Sequence, residues 1–174
     1  LQPPHFRLTE EALAKAFSPK TKAVVFNNPL NPTATVFSSE DLNLLAAFCR
    51  KYDAIAISDE VWEHVVFDGI RHQPVLGLEG MRDRSVKIGS AGKIFSLTGW
   101  KVGFVCAAPH IMKVLAKSHQ FLTFTTAPNL QHAVAYGLAK DDAYFEGMRR
   151  DFARSRDRFT AGLRTLGFEV IPSQ

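Results

Sequence analysis

The chain has 174 residues, of which 46% are hydrophobic and 22% charged, and its formal net charge is +4. These values are typical of a single globular domain with a real core, and they exclude a disordered chain. No apolar run is long enough for a membrane span and no block of like charges suggests a nucleic-acid partner, so we expect neither membrane nor nucleic acid as a partner.

The first predicted elements are a short helix at residues 10–16 and a buried strand at residues 22–27, which contains the apolar run Ala-Val-Val-Phe. The segment after this strand contains Pro29 and Pro32, which exclude a helix there. A second helix is expected to begin after Ser38, because Asp41 stands three residues later as a capping partner. Apolar side chains then recur at helical spacing.

Three further apolar runs predict strands at residues 54–58, 85–89 and 102–107. The link between the last two strands is too short for a crossover helix. We therefore expect strand 102–107 to run antiparallel to its neighbours. A long helix is predicted from about residue 110 onwards.

The C-terminal part of the sequence is predicted to be mainly helical. Pro128 is expected to interrupt the long helix, and two more helices follow at residues 129–138 and 143–166. Gly167 is a natural stop for the last of them. The final apolar run, residues 168–171, is typical of a strand.

Apolar strands that alternate with helices predict an α/β protein, with a three-layer αβα fold and a mostly parallel sheet that contains one antiparallel strand. Cys49 and Cys106 lie in apolar runs. We expect two buried free thiols in a reducing compartment, and hence a cytoplasmic protein. The histidines show no metal-ligand spacing, so no metal site is predicted.

Three polar side chains stand where predicted strands end. Asn31 follows the first strand, Asp59 the second and Lys93 the third. In a parallel α/β sheet, ligands bind at the edge where the carboxyl ends of the strands meet. Each residue alone has an ordinary explanation as a turn former, a cap or a surface lysine. Three of them at one edge predict a binding site.

The motifs around these residues resemble the large domain of fold-type I, pyridoxal-phosphate-dependent aminotransferases of class I/II. They are most similar to the kynurenine/glutamine (cysteine-conjugate β-lyase) and methionine aminotransferase branch. The resemblance covers nearly the whole chain. The matching segments are Asn-Pro-Thr at 31–33, Ser-Asp-Glu-Val at 58–61, Ser-Ala-Gly-Lys at 90–93 and Gly-Trp-Lys-Val-Gly at 99–103.

The resemblance implies a role for each of the three residues. Lys93 would hold pyridoxal 5'-phosphate as a Schiff base and act as the general base. Asp59 would pair with the pyridine nitrogen, so that the ring can accept electrons. Asn31 would donate an amide N–H to the phenolate oxygen of the ring.

The resemblance also implies a phosphate site. Ser90 and Lys101 would bind the phosphate through a hydroxyl donor and a cation. Most of the wider family has arginine in place of Lys101, whereas the branch named above commonly has lysine. Gly99 and Gly103 would allow a close backbone approach or a sharp turn.

Two positions depart from the family pattern. Trp62 stands where the family has a tyrosine whose hydroxyl bonds the ring oxygen. An indole N–H can donate but not accept, so Trp62 either replaces one bond to the cofactor or serves as a packing residue. Ala34 stands where the family prefers glycine, which predicts a backbone angle that ordinary residues reach.

The resemblance assigns residues 1–166 to part of the large domain and residues 167–174 to the start of the small domain. The glycine-rich phosphate loop, the aromatic residue that stacks on the ring and the arginine that binds substrate carboxylate are expected outside these residues. An exposed sheet edge would then need a cover, and we expect a homodimer.

The function implied is transamination between an amino acid and a 2-oxo acid. Cysteine-conjugate β-elimination on the same lysine is an open alternative, because the two reactions share a carbanion. A second alternative is a folded fragment of such an enzyme that is catalytically incompetent. A nicotinamide dinucleotide-binding domain is excluded, since no Gly-x-Gly-x-x-Gly motif opens a helix after the first strand.

Overall fold

A computed structural model describes residues 1–174 and has a four-stranded sheet at its centre, in the order β1-β2-β3-β4. The first three strands are parallel, and β4 is antiparallel to β3. The predicted mixed sheet is confirmed, and each strand lies within one residue of its predicted bounds. The strands are β1 (Ala23–Asn27), β2 (Ile55–Asp59), β3 (Ser85–Ser90) and β4 (Gly103–Ala107).

Six α-helices connect and cover the strands. The predicted capping box at the start of α2 is present, since Ser38 Oγ accepts the N–H of Asp41 and the Asp41 carboxylate accepts the N–H of Ser38. Pro128 begins α5, where its missing N–H costs nothing. None of the helices is both long and apolar enough to cross a membrane. They are α1 (Glu10–Ala16), α2 (Ser39–Lys51), α3 (Ala91–Ile94), α4 (Pro109–Leu122), α5 (Pro128–Leu138) and α6 (Asp142–Thr165).

The main hydrophobic core lies between α1, α2 and the first strands. Leu42 and Leu45 of α2 are almost completely buried there against Ala56 of β2. Complete burial of a leucine side chain contributes about 2 kcal/mol. Helix α4 has no buried residue, and Val25 of β1 is 73% exposed. Within these residues, the stability of the sheet therefore depends mostly on the α1–α2 side.

The pairing of β3 with β4 needs two glycines. A Cβ atom on Gly89 would lie 2.2 Å from the ring of Phe104, and a Cβ on Gly103 would lie 3.1 Å from the carbonyl oxygen of Gly89. The close approach expected at Gly103 is therefore confirmed. Gly99 lies in the 3₁₀ turn Thr98–Trp100, with open space around its Cβ position and no left-handed φ, so contacts within the protein do not require a glycine there. The left-handed residue of this turn is Lys101, with φ of 55°.

Glu60 anchors the loop that follows Asp59. Its carboxylate is completely buried, receives the N–H of Val75 at 3.3 Å and lies 2.8 Å from Nε2 of His72. Lys87 of β3 contacts the carboxylates of both Glu60 and Glu63. Burial opposes the charge on Glu60, but the hydrogen bond and charge of His72, together with Lys87, hold its pKa below the usual value.

This arrangement was not predicted from the sequence. Ligand-type atoms of Glu60, Glu63 and His72 lie within 4.8 Å of one another. The ammonium group of Lys87 lies against both carboxylates, so it offsets one of their two negative charges. The cluster acts as a buried ion-pair network that fixes the segment after β2.

Three local expectations were wrong. Cys49 is buried, and burial raises the pKa of its thiol to about 11, but Cys106 is exposed because β4 is an edge strand. Residues 168–171 form no strand, because no neighbouring strand lies beside them to accept their hydrogen bonds. Instead Gln174 donates its N–H to the carbonyl of Ala34 at 2.8 Å. Ala34 itself has φ of 55°, which is the left-handed region.

We expect Ala34→Gly to raise the free energy of unfolding by about 0.5–1 kcal/mol. A left-handed conformation costs a non-glycine residue about 1–2 kcal/mol, and part of the gain is offset by the entropy of glycine in the unfolded chain. Urea unfolding would measure the change. Ala12→Gly, in the exposed middle of α1, is the matched control and should lower the free energy of unfolding by about 1 kcal/mol. Equal losses in both variants would contradict the expectation.

We also expect Glu60→Gln to reduce the dependence of stability on acid pH. Because the folded-state pKa of Glu60 is lowered, its stabilising contribution is present above about pH 4.5 and is lost as the pH falls through the lower folded value. At pH 7 the variant should lose about 1–3 kcal/mol. Below pH 4 the difference from the unmodified chain should shrink. Unfolding curves between pH 3.5 and 7 test this, with the exposed Glu79→Gln as control.

Candidate active site

The carboxyl ends of β1, β2 and β3 meet at one edge of the sheet. In the register of the strands, Asn27 lies opposite Asp59. On the other side, Ser90 at the end of β3 lies opposite Gly103 at the start of β4. The antiparallel strand therefore begins at the same edge at which the parallel strands end. The sheet topology gathers all the predicted site segments at this edge.

Lys93 lies in α3, three residues beyond the end of β3, and is half-buried. Its Nζ atom lies 5.3 Å from the ring centroid of Trp62, which is also half-buried. This distance is within the range of a cation–π contact. The Lys93 ammonium group forms no ion pair within the chain. The structure thus brings together two residues that are 31 positions apart in the sequence.

Asp59 ends β2 and is half-buried. One of its carboxylate oxygens accepts the N–H of Val61 at 3.3 Å, and no side chain binds the carboxylate. Asn31 is exposed, and its side-chain amide forms no hydrogen bond within the chain. Both polar groups therefore retain the capacity to bind a ligand.

Ser90 and Lys101 are brought together by a backbone contact. The N–H of Ala91 donates to the carbonyl oxygen of Val102 at 3.1 Å, which ties the segment before β4 to the end of β3. Ser90 is half-buried and Lys101 is exposed. Neither the hydroxyl nor the ammonium group has a partner in the chain, so both are available to an anion.

Two asparagines at the end of β1 were not predicted from the sequence. Asn27 donates from Nδ2 to the carbonyl oxygen of Asp59 at 2.9 Å, and its Oδ1 accepts the backbone N–H of Asn31 at 2.7 Å. Asn28 is buried and accepts the N–H of Phe37 at 2.9 Å. Two consecutive amides directly after a buried strand were the signal that could have indicated them.

A cavity of about 230 Å³ opens beside Asn31 and Trp62. Sites for small molecules are commonly concave and mostly apolar, with a few polar groups at one side. This cavity has that character, and its polar lining comprises Asn31, Ser173 and Gln174. Its apolar lining comprises Pro29, Leu30, Pro32, Ala34, Trp62, Val65 and Phe67.

Comparisons with known proteins agree with this geometry. The family profile described as aminotransferase class I and II matches residues 1–174. A probable N-succinyldiaminopimelate aminotransferase of Mycobacterium tuberculosis is 38% identical over 97% of this chain and 42% of its own length. Human kynurenine–oxoglutarate transaminase 1 is 39% identical over 98% of this chain and 42% of its own length.

Solved structures give the same result. The structure of N-succinyldiaminopimelate aminotransferase from Mycobacterium tuberculosis superposes with a TM-score of 0.94 at 37% identity, over 99% of this chain and 45% of that one. An Escherichia coli protein with a methionine aminotransferase function also superposes with a TM-score of 0.94, at 35% identity, over 99% of this chain and 46% of that one. The chain spans less than half the length of these relatives, and it belongs to the class I and II aminotransferase family.

Proposed function

We propose that this chain supplies the cofactor-binding face of a pyridoxal-phosphate-dependent aminotransferase, which exchanges an amino group between an amino acid and a 2-oxo acid. The observation that carries the proposal is the placement of Lys93 and Asp59 at one sheet edge with their charged groups free of ion pairs. Charged groups that no other side chain of the protein satisfies keep their capacity to bind a ligand.

The residues at this edge fit the cofactor. Class I and II aminotransferases depend on pyridoxal 5'-phosphate, which has an aldehyde, a pyridine nitrogen, a phenolate oxygen and a phosphate. The edge offers an amine, a carboxylate, an amide, a hydroxyl and a second ammonium group, and none of them is used in an ion pair. When bound, the cofactor would supply an electron sink for a carbanion at the substrate α-carbon.

Each residue then has a defined task. Lys93 Nζ would anchor the cofactor as a Schiff base, and after release it would carry the proton to and from the substrate α-carbon. The Asp59 carboxylate would hold a proton on the pyridine nitrogen. Asn31 would donate to the ring oxygen, while Ser90 and Lys101 would bind the phosphate.

Trp62 has a role of its own in this proposal. Its ring faces the Lys93 ammonium group, and the side chain forms one wall of the 230 Å³ cavity. We assign it to the cofactor site, where the indole N–H is available as a donor in place of the usual tyrosine hydroxyl. The contact with Lys93 supports this role over simple packing in the core, because neither residue is fully buried.

The substrate is not assigned. The relatives are named for N-succinyldiaminopimelate, kynurenine and methionine, which are chemically different amino acids. Elimination from cysteine conjugates remains the second candidate function, because the same carbanion would expel a leaving group on the β-carbon. A folded but catalytically incompetent segment is the third, since the chain spans 42% of its relatives.

The proposal extends to assembly and location. We assign residues 1–166 to the large domain, residues 167–174 to the start of the small domain, and the whole protein to the cytoplasm. A homodimer is supported by large apolar side chains exposed on and after α4. They include Val114 (64% exposed), Phe121 (86%), Leu122 (81%) and Phe124 (73%).

Addition of pyridoxal phosphate should produce the visible absorbance of a Schiff base, and Lys93→Ala should abolish it. Reduction with borohydride followed by peptide mass analysis should place the cofactor on Lys93. Lys113→Ala, at an exposed position of α4, is the matched control and should keep the band. If Lys93→Ala retains the band, the assignment of the lysine is wrong. If neither the unmodified chain nor Lys93→Ala forms the band, the chain is a segment that cannot bind pyridoxal phosphate.

We expect Asp59→Asn to weaken cofactor binding while the Schiff base still forms. A hydrogen bond to a charged partner is worth about 1.5–3 kcal/mol, so the dissociation constant should rise about tenfold or more. Titration followed by absorbance measures this change. Asp83→Asn, at an exposed position, should leave the dissociation constant unaltered. Equal affinities of the unmodified chain, Asp59→Asn and Asp83→Asn for pyridoxal phosphate would mean that Asp59 does not bind the cofactor.

A further inference from the structure

The side chain of Asn27 joins two parts of the candidate site that are far apart in the sequence. Nδ2 donates to the carbonyl oxygen of Asp59 at 2.9 Å, and Oδ1 accepts the backbone N–H of Asn31 at 2.7 Å. Asn27 is half-buried at the last position of β1, directly opposite Asp59 in the register. One amide therefore connects the end of β2 to the loop after β1.

One of the two bonds fixes the backbone at Asp59, and the other fixes the backbone at Asn31. The carbonyl oxygen of Asp59 also accepts the backbone N–H of Asn28 at 3.0 Å, so both of its lone pairs are used. These two bonds hold the peptide group after Asp59 in one orientation. The Cα atom that carries the Asp59 side chain is part of the same rigid unit, so the orientation of the peptide group limits where the side chain can lie. The bond to Asn31 holds the start of the Asn-Pro-Thr segment, whose side-chain amide is exposed.

Among side chains of this length, only asparagine provides both bonds at neutral pH. An aspartate could accept from Asn31, but its ionised carboxylate would face the carbonyl oxygen of Asp59 as a second acceptor. A leucine of similar size would provide neither bond. Asparagine alone combines a donor and an acceptor on a side chain of this length.

We propose that Asn27 is a positioning residue, which sets the distance and orientation of Asp59 and Asn31 relative to each other so that both can bind one planar ring. The inference rests on the proposed function, since it assigns the ring to pyridoxal phosphate. The proposal assigns Asn27 no bond to the cofactor. Its effect is transmitted through one carbonyl group and one amide group of the backbone.

Two variants separate the bonds. Asn27→Ala removes both of them. Asn27→Asp keeps the acceptor for Asn31 and, at neutral pH, removes the donor to Asp59. Asn27→Asp should therefore keep the hold on the loop at Asn31 and lose the hold on Asp59, whereas Asn27→Ala should lose both. Asn43→Asp, at an exposed position of α2, is the matched control.

The first measurement is hydrogen exchange of backbone amides in the chain without cofactor. The Asn31 amide should exchange about tenfold faster in Asn27→Ala, a fold-change equivalent to about 1.4 kcal/mol. Its exchange should change by less than about threefold in Asn27→Asp relative to the unmodified chain at the same pH. Unaltered exchange in Asn27→Ala would overturn the proposal, because the bond to Asn31 would then not exist in solution.

The second measurement is the dissociation constant of pyridoxal phosphate at about pH 7.5. Asn27→Asp and Asn27→Ala should each raise the constant about tenfold relative to the unmodified chain, because both lose the donor to Asp59. Asn43→Asp should show no change. An unchanged dissociation constant in both Asn27 variants would overturn the positioning role, and so would faster amide exchange throughout α2, which would mean a general structural defect.

The two measurements distinguish this proposal from the proposed function. If the unmodified chain forms no Schiff base, the proposed function fails for this chain, and the exchange of the Asn31 amide alone decides whether Asn27 holds the loop. If the Schiff base forms but neither Asn27 variant affects affinity, the proposed function stands and the role of Asn27 is wrong.

Discussion

The antiparallel return of β4 onto β3 is the constraint on which the candidate site depends. It brings the segment around Lys101 back beside Ser90, and the bond from the Ala91 N–H to the Val102 carbonyl holds it there. A parallel strand would have begun at the opposite edge of the sheet and would have placed Lys101 far from Lys93. The return is possible only because Gly89 leaves room for the ring of Phe104.

Charged groups near the site fall into two classes, which differ in how they are satisfied. Glu60 is buried and has His72 and Lys87 as partners, so its charge is balanced within the protein. Asp59, which directly precedes Glu60, has no ion-pair partner, and neither has Lys93 of α3. A buried, paired charge has its partners within the protein, whereas an unpaired charge keeps its capacity to bind a ligand. The adjacent acidic residues Asp59 and Glu60 thus differ in burial and in their partners.

The departures from the family pattern have physical consequences. Ala34 adopts a left-handed φ, where glycine would avoid the steric cost. Trp62 presents a broad ring to Lys93, where tyrosine would bring a hydroxyl group. Lys101 provides a point charge without the two-pronged geometry of arginine. The first change bears on stability, and the other two bear on how the cofactor would be held.

The strands, the capping box at Ser38 and the antiparallel last strand were determined by local sequence patterns, because apolar runs, caps and short links act over a few residues. The sequence also predicted that Asn31, Asp59 and Lys93 lie where three consecutive strands end, and the structure has them at these positions. Only the tertiary structure revealed the bridge made by Asn27, the buried partners of Glu60, the exposure of Cys106 and the absence of a strand at residues 168–171. Each of these depends on which distant segment lies alongside, and a hydrogen bond or a buried surface between distant segments leaves no periodic signal in the sequence.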